Sequence, residues 1–584
     1  MIRTTSLPEA EENLAASERE PAARGSARQA SRRGLWIPVL LLAVFGAQSL
    51  WFIATQSLTY DEAGHIYAGL EAWQHGRFEM WVDHPPLGRY WLTLPLARAH
   101  VEMTQEMPGG HYHVTGLRPG PEWLAWHTRP MSTLLGLALG AALWFATLRL
   151  FSEGAANVAL ALFVFTPSLI AHFSVAATDG IGALFIFLTA CQLLRWRTNP
   201  SRGQTVVMGL LLGGLLLAKM YTPPEALLAL GLMLVLGRDR IAWRPQDWNW
   251  KPALAALGIA LAIFWAGYQF HVSRVKLGNQ QIVMTFPNRA EKTLETQSRA
   301  RMNLLLPAGE YFQGLRLVEL SNHAGRETWF LGKIYPHGGP KLYFPVTIAL
   351  KWPTVLLVLF FGSLLLGVRK TCRAPGDLLI LSLFGAIFLI FALQSRITIG
   401  ERHLLPLYPF VLLIAGGVWE HARRHRAAVA VLVLALVLNA ADALRYAPDY
   451  LAYFNVFVQP ENSWRLVTDS SLDWGQGFIA LRNYQQQHPA EPLYLAYMGS
   501  VDPWLYGIKA TPLVPGEPVS GTVVVSPNCL SGQYLDDHDG FHWLWQYPPQ
   551  RVLDHSLWLY HVTTPGESPT KPLPSGPGDN KYPC

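Results

Sequence analysis

The sequence predicts a mainly α-helical protein: a polytopic transmembrane bundle of about eleven spans, with interfacial helices in the first outer loop and a small C-terminal α/β extracytoplasmic domain. Three observations predict it. Charged residues make up only 15% of the 584, against 51% hydrophobic, and the mean hydropathy is +0.18. A soluble globular chain carries about 25% charged residues, and the shortfall suits helices that face hydrocarbon. Apolar runs of spanning length recur along the chain, and the basic residues collect in alternate loops, the pattern that orients a membrane protein.

Residues 1–34 are rich in Ala, Glu, Arg and Ser and read as a disordered cytoplasmic tail. Arg32-Arg33 precede an apolar run from Leu35 to about Ile53. At roughly 20 residues this run can span, and it exceeds the apolar core of a cleavable signal peptide, so it reads as an anchor. Further runs centre near residues 138, 162, 186, 212, 230, 261, 357, 386, 411 and 435 and complete a transmembrane domain over 35–448. With the N-terminus inside, the inner loops hold Arg195, Arg197 and Arg202; Arg238, Arg240, Arg244 and Lys251; Arg369, Lys370 and Arg373; and Arg423, Arg424 and Arg426. The short outer loops hold only Lys219, Arg396 and Arg402. Cytoplasmic loops attract Lys and Arg, so the N-terminus is expected in the cytoplasm and the C-terminus outside.

Residues 56–126 and 271–345 form two large outer loops, with apolar-aromatic stretches such as Ile66, Leu70 and Trp73, or Tyr90-Trp91-Leu92, that suit helices lying in the interface plane. Residues 449–584 are Pro- and Gly-rich, with strand-like runs Leu493–Tyr497, Thr522–Ser526 and Ser556–Val562 and a flexible tail. Asp473 and Gln476 have the spacing of a helix N-cap and its third residue. The formal charge of +6 is dispersed among loops, so the bilayer, and not nucleic acid, is the expected partner. Four cysteines give no metal spacing; Cys191 and Cys372 fall on the cytoplasmic side, whereas Cys529 and Cys584 can pair if their region is outside.

The topology sorts the ionisable residues. Tyr60-Asp61-Glu62-Ala63-Gly64-His65 follows the first span, then Asp83-His84-Pro85-Pro86-Leu87-Gly88. His172 and Thr178-Asp179-Gly180, then Lys219-Met220-Tyr221, then Gly400-Glu401-Arg402-His403, all fall at the same outer boundary. Carboxylates there can deprotonate an acceptor, and cations can stabilise a departing phosphate. Each piece also has a plain structural reading. Asp61 and Asp179 suit helix caps, His84-Pro85-Pro86 a helix start, Lys219, Arg402 and His403 snorkelling span ends, and Glu401 a structural ion pair. Their convergence on one face favours chemistry.

The ordered set Asp61-Glu62, His84-Pro85-Pro86-Leu87 and Thr178-Asp179-Gly180 resembles the protein O-mannosyltransferase and aminoarabinose-transferase superfamily, C-type glycosyltransferases that use polyprenyl-phosphate sugars. Arg402-His403-Leu404-Leu405-Pro406-Leu407-Tyr408-Pro409 is similar to their arginine-containing start of a late span. Tyr453-Phe454-Asn455 with Asp469-Ser470-Ser471-Leu472-Asp473-Trp474-Gly475-Gln476 looks like bacterial phospholipid-carrier-dependent members. The resemblance covers most of residues 35–490. It implies Asp61 as the catalytic carboxylate, Glu62 positioning it or acting on the acceptor, and Asp179 as a second acidic residue. His84 stands where aminoarabinose transferases carry a lysine near the donor phosphate, which shifts that role toward Arg402 and Lys219, with His84 and His403 nearby. Tyr60, His65 and Tyr221 are candidate substrate-binding residues. Members differ in metal use, so a divalent cation is a candidate cofactor without a carried-over role.

The expected activity is inverting transfer of a hexose or pentose from a polyprenyl-phosphate carrier to a protein, lipid or glycan acceptor outside the cytoplasmic membrane. The alternative is a polytopic transporter or lipid-carrier flippase. That class tends to place ionisable residues near the midplane and to repeat its halves; here they sit at span ends.

Overall fold

The computed structural model describes residues 34–106, 112–236, 244–277, 280–284, 292–296 and 302–563. The first helix, α1 (Trp36–Thr55), has no acidic residue in its first turn and no basic one in its last, and presents much of its surface outward, as a lipid-facing span should. After a short extended stretch, α2 (Tyr60–His75) opens with a capping box. Thr59 is the N-cap, and Glu62 Oε2 accepts from Thr59 N at 2.6 Å. The chain continues through α3 (Pro86–Thr93) and a hairpin, β1 (Glu102–Glu106) and β2 (His113–Arg118), into α4 (Pro121–Leu150). At 30 residues α4 is about 45 Å long. It therefore projects well beyond a hydrocarbon core of about 30 Å.

The bundle then runs through α5 (Glu153–Val164), α6 (Pro167–His172), α7 (Asp179–Thr198), α8 (Arg202–Ala218), α9 (Pro223–Val235) and α10 (Trp250–Gly267). Between α10 and the next helix lie two small sheets, β3 (Val272–Leu277) with β6 (Met302–Pro307), and β4 (Gln280–Met284) with β5 (Lys292–Thr296). Next come α11 (Gly309–Ala324), the hairpin β7 (Thr328–Phe330) and β8 (Lys333–Tyr335), α12 (Tyr343–Lys351), α13 (Thr354–Leu365) and α14 (Pro375–Gln394). A 3₁₀ turn (Glu401–Leu407) leads into α15 (Tyr408–Gly416), followed by α16 (Trp419–Ala422) and α17 (Arg426–Leu444).

Among the described residues seven helices are long and apolar enough to cross a membrane, or eight if α12 and α13 form one bent span. The sequence suggests about eleven. Every expected centre is helical, but α5, α8 and α9 are shorter, and α12 meets α13 at 111°. Proline sets several of these helix ends. Pro167 and Pro223-Pro224 start new helices, and Pro353 forces Trp352 into extended backbone. At the end of the bundle away from α2, Asp377 accepts from both Arg149 (2.9 Å) and Arg197 (2.8 Å), tying α4, α7 and α14 together.

The C-terminal part contains α18 (Phe478–Gln487), β9 (Leu493–Ala496), β10 (Thr511–Pro512), β11 (Gly521–Val525), α19 (Pro527–Leu530), β12 (Arg551–Leu553) and β13 (Leu557–Val562). Its five-stranded sheet has the order β10-β9-β11-β13-β12, parallel across the first three strands and antiparallel across the rest. All three strand-like runs in the sequence are strands. Alternation along each strand sends successive side chains to opposite faces. Leu493, Leu495, Val524 and Leu559 pack with Leu58, Ile66, Leu92 and Leu124, from the segment after α1 and the start of α4. Tyr494, Val523, Val525 and Trp558 pack with Trp329, Phe330, Tyr343 and Leu404. The sheet is thus held between residues 58–124 on one face and the segments around Trp329, Tyr343 and Leu404 on the other, and both its faces are core.

Two expectations change here. Asp473 does not cap a helix: α18 starts five residues later, behind Gly477. Instead the Asp473 carboxylate accepts from Gly475 N at 2.8 Å, and Gln476 Oε1 accepts from Trp474 N at 2.7 Å. Gly475, at φ +90°, makes this tight turn possible. Cys529 is disulfide-bonded, while Cys584, its expected partner, lies outside the described residues.

Glu62 does more than cap. Its Oε1 accepts from Arg129 Nε (2.9 Å) and Ala176 N (2.6 Å), and its Oε2 from Arg129 Nη2 (2.8 Å). Arg129 also donates to the carbonyls of Gln56 (2.7 Å) and Ser57 (2.6 Å). Both side chains have no solvent exposure. Breaking a buried pair by removing one partner costs ~3–5 kcal/mol. Arg129→Ala is therefore expected to lower the thermal unfolding midpoint of the detergent-purified protein steeply, and an unshifted midpoint would remove this pair from the fold's support.

Candidate active site

Four chain segments meet where α2 and α7 begin. Asp61 occupies the second position of α2, and with Glu62 committed below it, its carboxylate points away from the capping box. Its Oδ2 accepts from Arg402 Nη1 at 2.5 Å. Arg402 is carried by the 3₁₀ turn before α15, which starts after Gly400. Gly400 has φ +103°, and a Cβ there would meet Ser471 Oγ at 2.6 Å, so only glycine lets this turn lie against the 469–471 segment. The Arg402 guanidinium carbon lies 4.3 Å above the ring of Trp474. That cation–π contact gives the guanidinium a second partner besides its acid.

Asp179 is the first residue of α7, and its Oδ1 lies 2.8 Å from Lys219 Nζ. Lys219 also donates to Thr178 Oγ1 at 2.7 Å. Neither aspartate serves as an N-cap; Thr59 and Thr178 hold those positions. Lys219 does not snorkel but is spent on its acid. Arg402 feels Asp179 as well as Asp61, and His403 feels Arg402, Asp179 and Lys219, so the two ion pairs share one electrostatic field.

The remaining candidates surround these pairs. His65, one turn beyond Asp61, has its ring 4.7 Å from that of His84 and 5.2 Å from that of Trp81. Burial, with His84, Lys219 and Arg89 nearby, holds its pKa well below the usual histidine range, so the ring is neutral. His84 Nδ1 lies 3.2 Å from Asp83 Oδ1. Burial alone would raise the Asp83 pKa, but His84 and Arg89 overcome it and hold the carboxyl low. Burial and the Asp61 carboxylate push the Tyr60 phenol up to about 12. The Tyr221 hydroxyl lies 3.5 Å from Asp179 O, in a space that a side chain at position 182 would fill.

The Glu62 oxygens are taken by Arg129 and by the amides of Thr59 and Ala176, so this carboxylate is bound into the fold. Glu401 faces away from the cluster, accepting from Ser168 (2.7 Å) and Tyr408 (3.2 Å) with Lys351 at 3.7 Å.

Four residues that the motifs did not single out as ligands stand near these pairs. Trp474 appeared only within a run resembling a family, and Asp469 likewise. Asp469 has φ +59°, and its carboxylate accepts from the Tyr534 hydroxyl and from Ser470 N at 2.5 Å. Arg326 is exposed, and its charge is felt by Tyr534, Asp469, Asp61 and Arg402. Nothing in the sequence marks Arg326 or Tyr534, since each is a lone residue brought in from far along the chain.

A divalent cation would need several oxygen ligands. Both candidate aspartates are already ion-paired, and among the described residues no group of three or more His, Cys, Asp or Glu side chains is placed to hold one. The donor set does not fit, and no step below runs through a metal.

No family model matches the chain, and no curated protein matches it. Among solved structures it is similar to ArnT from Cupriavidus metallidurans bound to undecaprenyl phosphate, with 14% identity, a TM-score of 0.45, and coverage of 91% of this chain and 98% of that one. It is also similar to the archaeal oligosaccharyltransferase AglB from Archaeoglobus fulgidus in complex with an inhibitory peptide and a dolichol-phosphate, with 11% identity, a TM-score of 0.46, and coverage of 88% and 73%.

The turn that carries Trp474 contains a titrating group. Burial pushes Asp473 up to about 7, against the donors Ser526 and Gly475. An ordinary aspartate ionises near 4, so between about pH 4 and 7 the folded chain holds a proton that the unfolded chain has lost. Stability should fall as pH rises through that window, by up to about 1.4 kcal/mol per unit. Asp473→Asn should flatten this dependence, seen as a smaller gap between unfolding midpoints at pH 5 and pH 8.

Proposed function

We propose that the chain is a membrane glycosyltransferase that moves a sugar from a polyprenyl-phosphate carrier to an acceptor hydroxyl or amine on the extracytoplasmic side of a cytoplasmic membrane. The observation that carries this reading is the meeting of the Asp61–Arg402 and Asp179–Lys219 pairs at the start of two helices. A base and two cations at one depth suit a reaction in which an acceptor loses a proton while a phosphate leaves.

In the resting arrangement Arg402 neutralises Asp61. A carrier phosphate offers Arg402 a better partner, because guanidinium binds phosphate with two parallel hydrogen bonds. Asp61 is then free to take the acceptor proton. The acceptor atom attacks the anomeric carbon from the face opposite the phosphate, the bond from that carbon to the phosphate oxygen breaks, and polyprenyl phosphate departs, so the configuration inverts. Arg402 and Lys219 stabilise the negative charge on the leaving oxygen. Asp179 orients Lys219, and Glu62 holds the turn from which Asp61 projects.

His65 and His84, with His403, line the approach to the phosphate, and the neutral ring of His65 can hydrogen-bond to sugar or phosphate without adding charge. Tyr60 and Tyr221 bracket the sugar. The positions of these charges at helix starts, and not at mid-helix, weigh against a transporter or flippase.

General-base catalysis contributes about 10²–10⁴-fold. Asp61→Asn should lower transfer of a labelled carrier sugar in proteoliposomes by that order while polyprenyl phosphate still binds. Arg402→Gln should instead weaken polyprenyl-phosphate binding itself. Wild-type turnover in a correctly inserted Asp61→Asn protein would overturn the mechanism.

A further inference from the structure

Opposite in character to the Lys219 pair is the frame that joins Arg326 to the C-terminal part. Arg326 follows α11, and its backbone amide donates to Arg396 O at 3.1 Å. Its neighbour Glu327 is buried and bolted to the C-terminal part, with Oε1 accepting from Tyr534 N at 2.7 Å and its carbonyl from Gln533 Nε2 at 2.9 Å. The Tyr534 hydroxyl in turn donates to Asp469. Tyr534 and Asp469 both hold left-handed backbone, at φ +68° and +59°. Such strain in non-glycine residues costs of order 1–3 kcal/mol each and tends to persist at ligand sites.

This frame holds Arg326 exposed beside Asp61 without using up its side chain. The Asp469 oxygens are taken by Tyr534 and Ser470, and among the described residues the Arg326 guanidinium makes no hydrogen bond or ion pair. Its five N–H donors stay unspent, in the planar fork that matches a phosphate or a carboxylate. Asp61 lies in the field of both Arg326 and Arg402, and Arg402, already paired with Asp61, is the cation assigned to the carrier phosphate.

We propose that Arg326, backed by Asp469 and Tyr534, is an acceptor subsite that binds an anionic group carried by the acceptor, distinct from the carrier phosphate. The assignment rests on the glycosyltransferase reading. It narrows the acceptor to a molecule with an oxyanion close to the atom that receives the sugar, and gives the C-terminal part a share in choosing it.

The test uses the full chain in lipid nanodiscs, as wild type, Arg326→Gln, Arg326→Lys and Arg402→Gln. Binding is measured with polyprenyl phosphate and polyprenyl diphosphate as probes, and transfer with a labelled carrier sugar and a membrane extract as acceptor. Arg326→Gln should raise the KM for acceptor about tenfold or more, with Arg326→Lys recovering part of it. Polyprenyl-phosphate affinity should change less than about twofold in Arg326→Gln and fall strongly in Arg402→Gln. The labelled wild-type product should bind an anion exchanger.

A neutral product would overturn the subsite. So would a loss of polyprenyl-phosphate affinity in Arg326→Gln as large as that in Arg402→Gln. A wild-type preference for the diphosphate that vanishes in Arg326→Gln would assign Arg326 to the carrier and also overturn it. An active wild type with an unchanged Arg326→Gln removes the subsite alone; a wild type that transfers nothing removes the enzymatic reading and the subsite with it.

Discussion

Glu62 and Arg129 are both sealed from water, and neither charge could remain there without the other. Their pairing is also a junction. Through it the end of α1, the first turn of α2, the start of α4 and the backbone three residues before Asp179 share one set of hydrogen bonds. Asp61 and Asp179 project from turns that this junction holds in fixed relation. A carboxylate beside the reacting group is useful only if it is held to a fraction of an ångström, and an exposed aspartate on a free loop would not be. The buried acid therefore sets the geometry of the accessible one beside it.

The C-terminal sheet extends the same logic to the other wall. One of its faces is packed against the segment between α1 and α4 and the other against the segment around Trp329 and Leu404. Main-chain bonds reinforce the seam, with Tyr60 N donating to Trp474 O and Ser57 N to Gln476 O. Trp474 then reaches Arg402 from a turn whose shape is set by Gly475 and Asp473. The part of the chain that the sequence presents as an appended domain packs directly against the Arg402 pair.

Much of this was legible because charge is scarce in an apolar chain. Asp61, Asp179, Lys219 and Arg402 stand out at the ends of hydrophobic runs, and a common depth brings them near one another. The strands Leu493–Ala496, Gly521–Val525 and Leu557–Val562 were readable from β-branched and aromatic runs. What periodicity cannot convey is partner choice. Glu62 sits beside Asp61 and looks equally reactive, and only its contact with Arg129, 67 residues away, shows that it is scaffold. Asp473 has the spacing of a cap, but Gly475 turns the chain before a helix can form. Arg326 and Tyr534 lie in segments with no motif. An apolar run does not reveal where a proline cuts a helix short, so helix lengths were less legible than helix positions.

The Asp61–Arg402 pair joins residues 341 positions apart, and the bonds from Gln56 and Ser57 reach across 498 and 418. During synthesis the first span enters the bilayer long before its distant counterparts leave the ribosome. For most of that time the aspartate exists without its arginine, and the wall behind it has not been made. On the glycosyltransferase reading proposed above, a chain would meet a sugar carrier with its full set of charges only once translation has run through the last strand of the sheet.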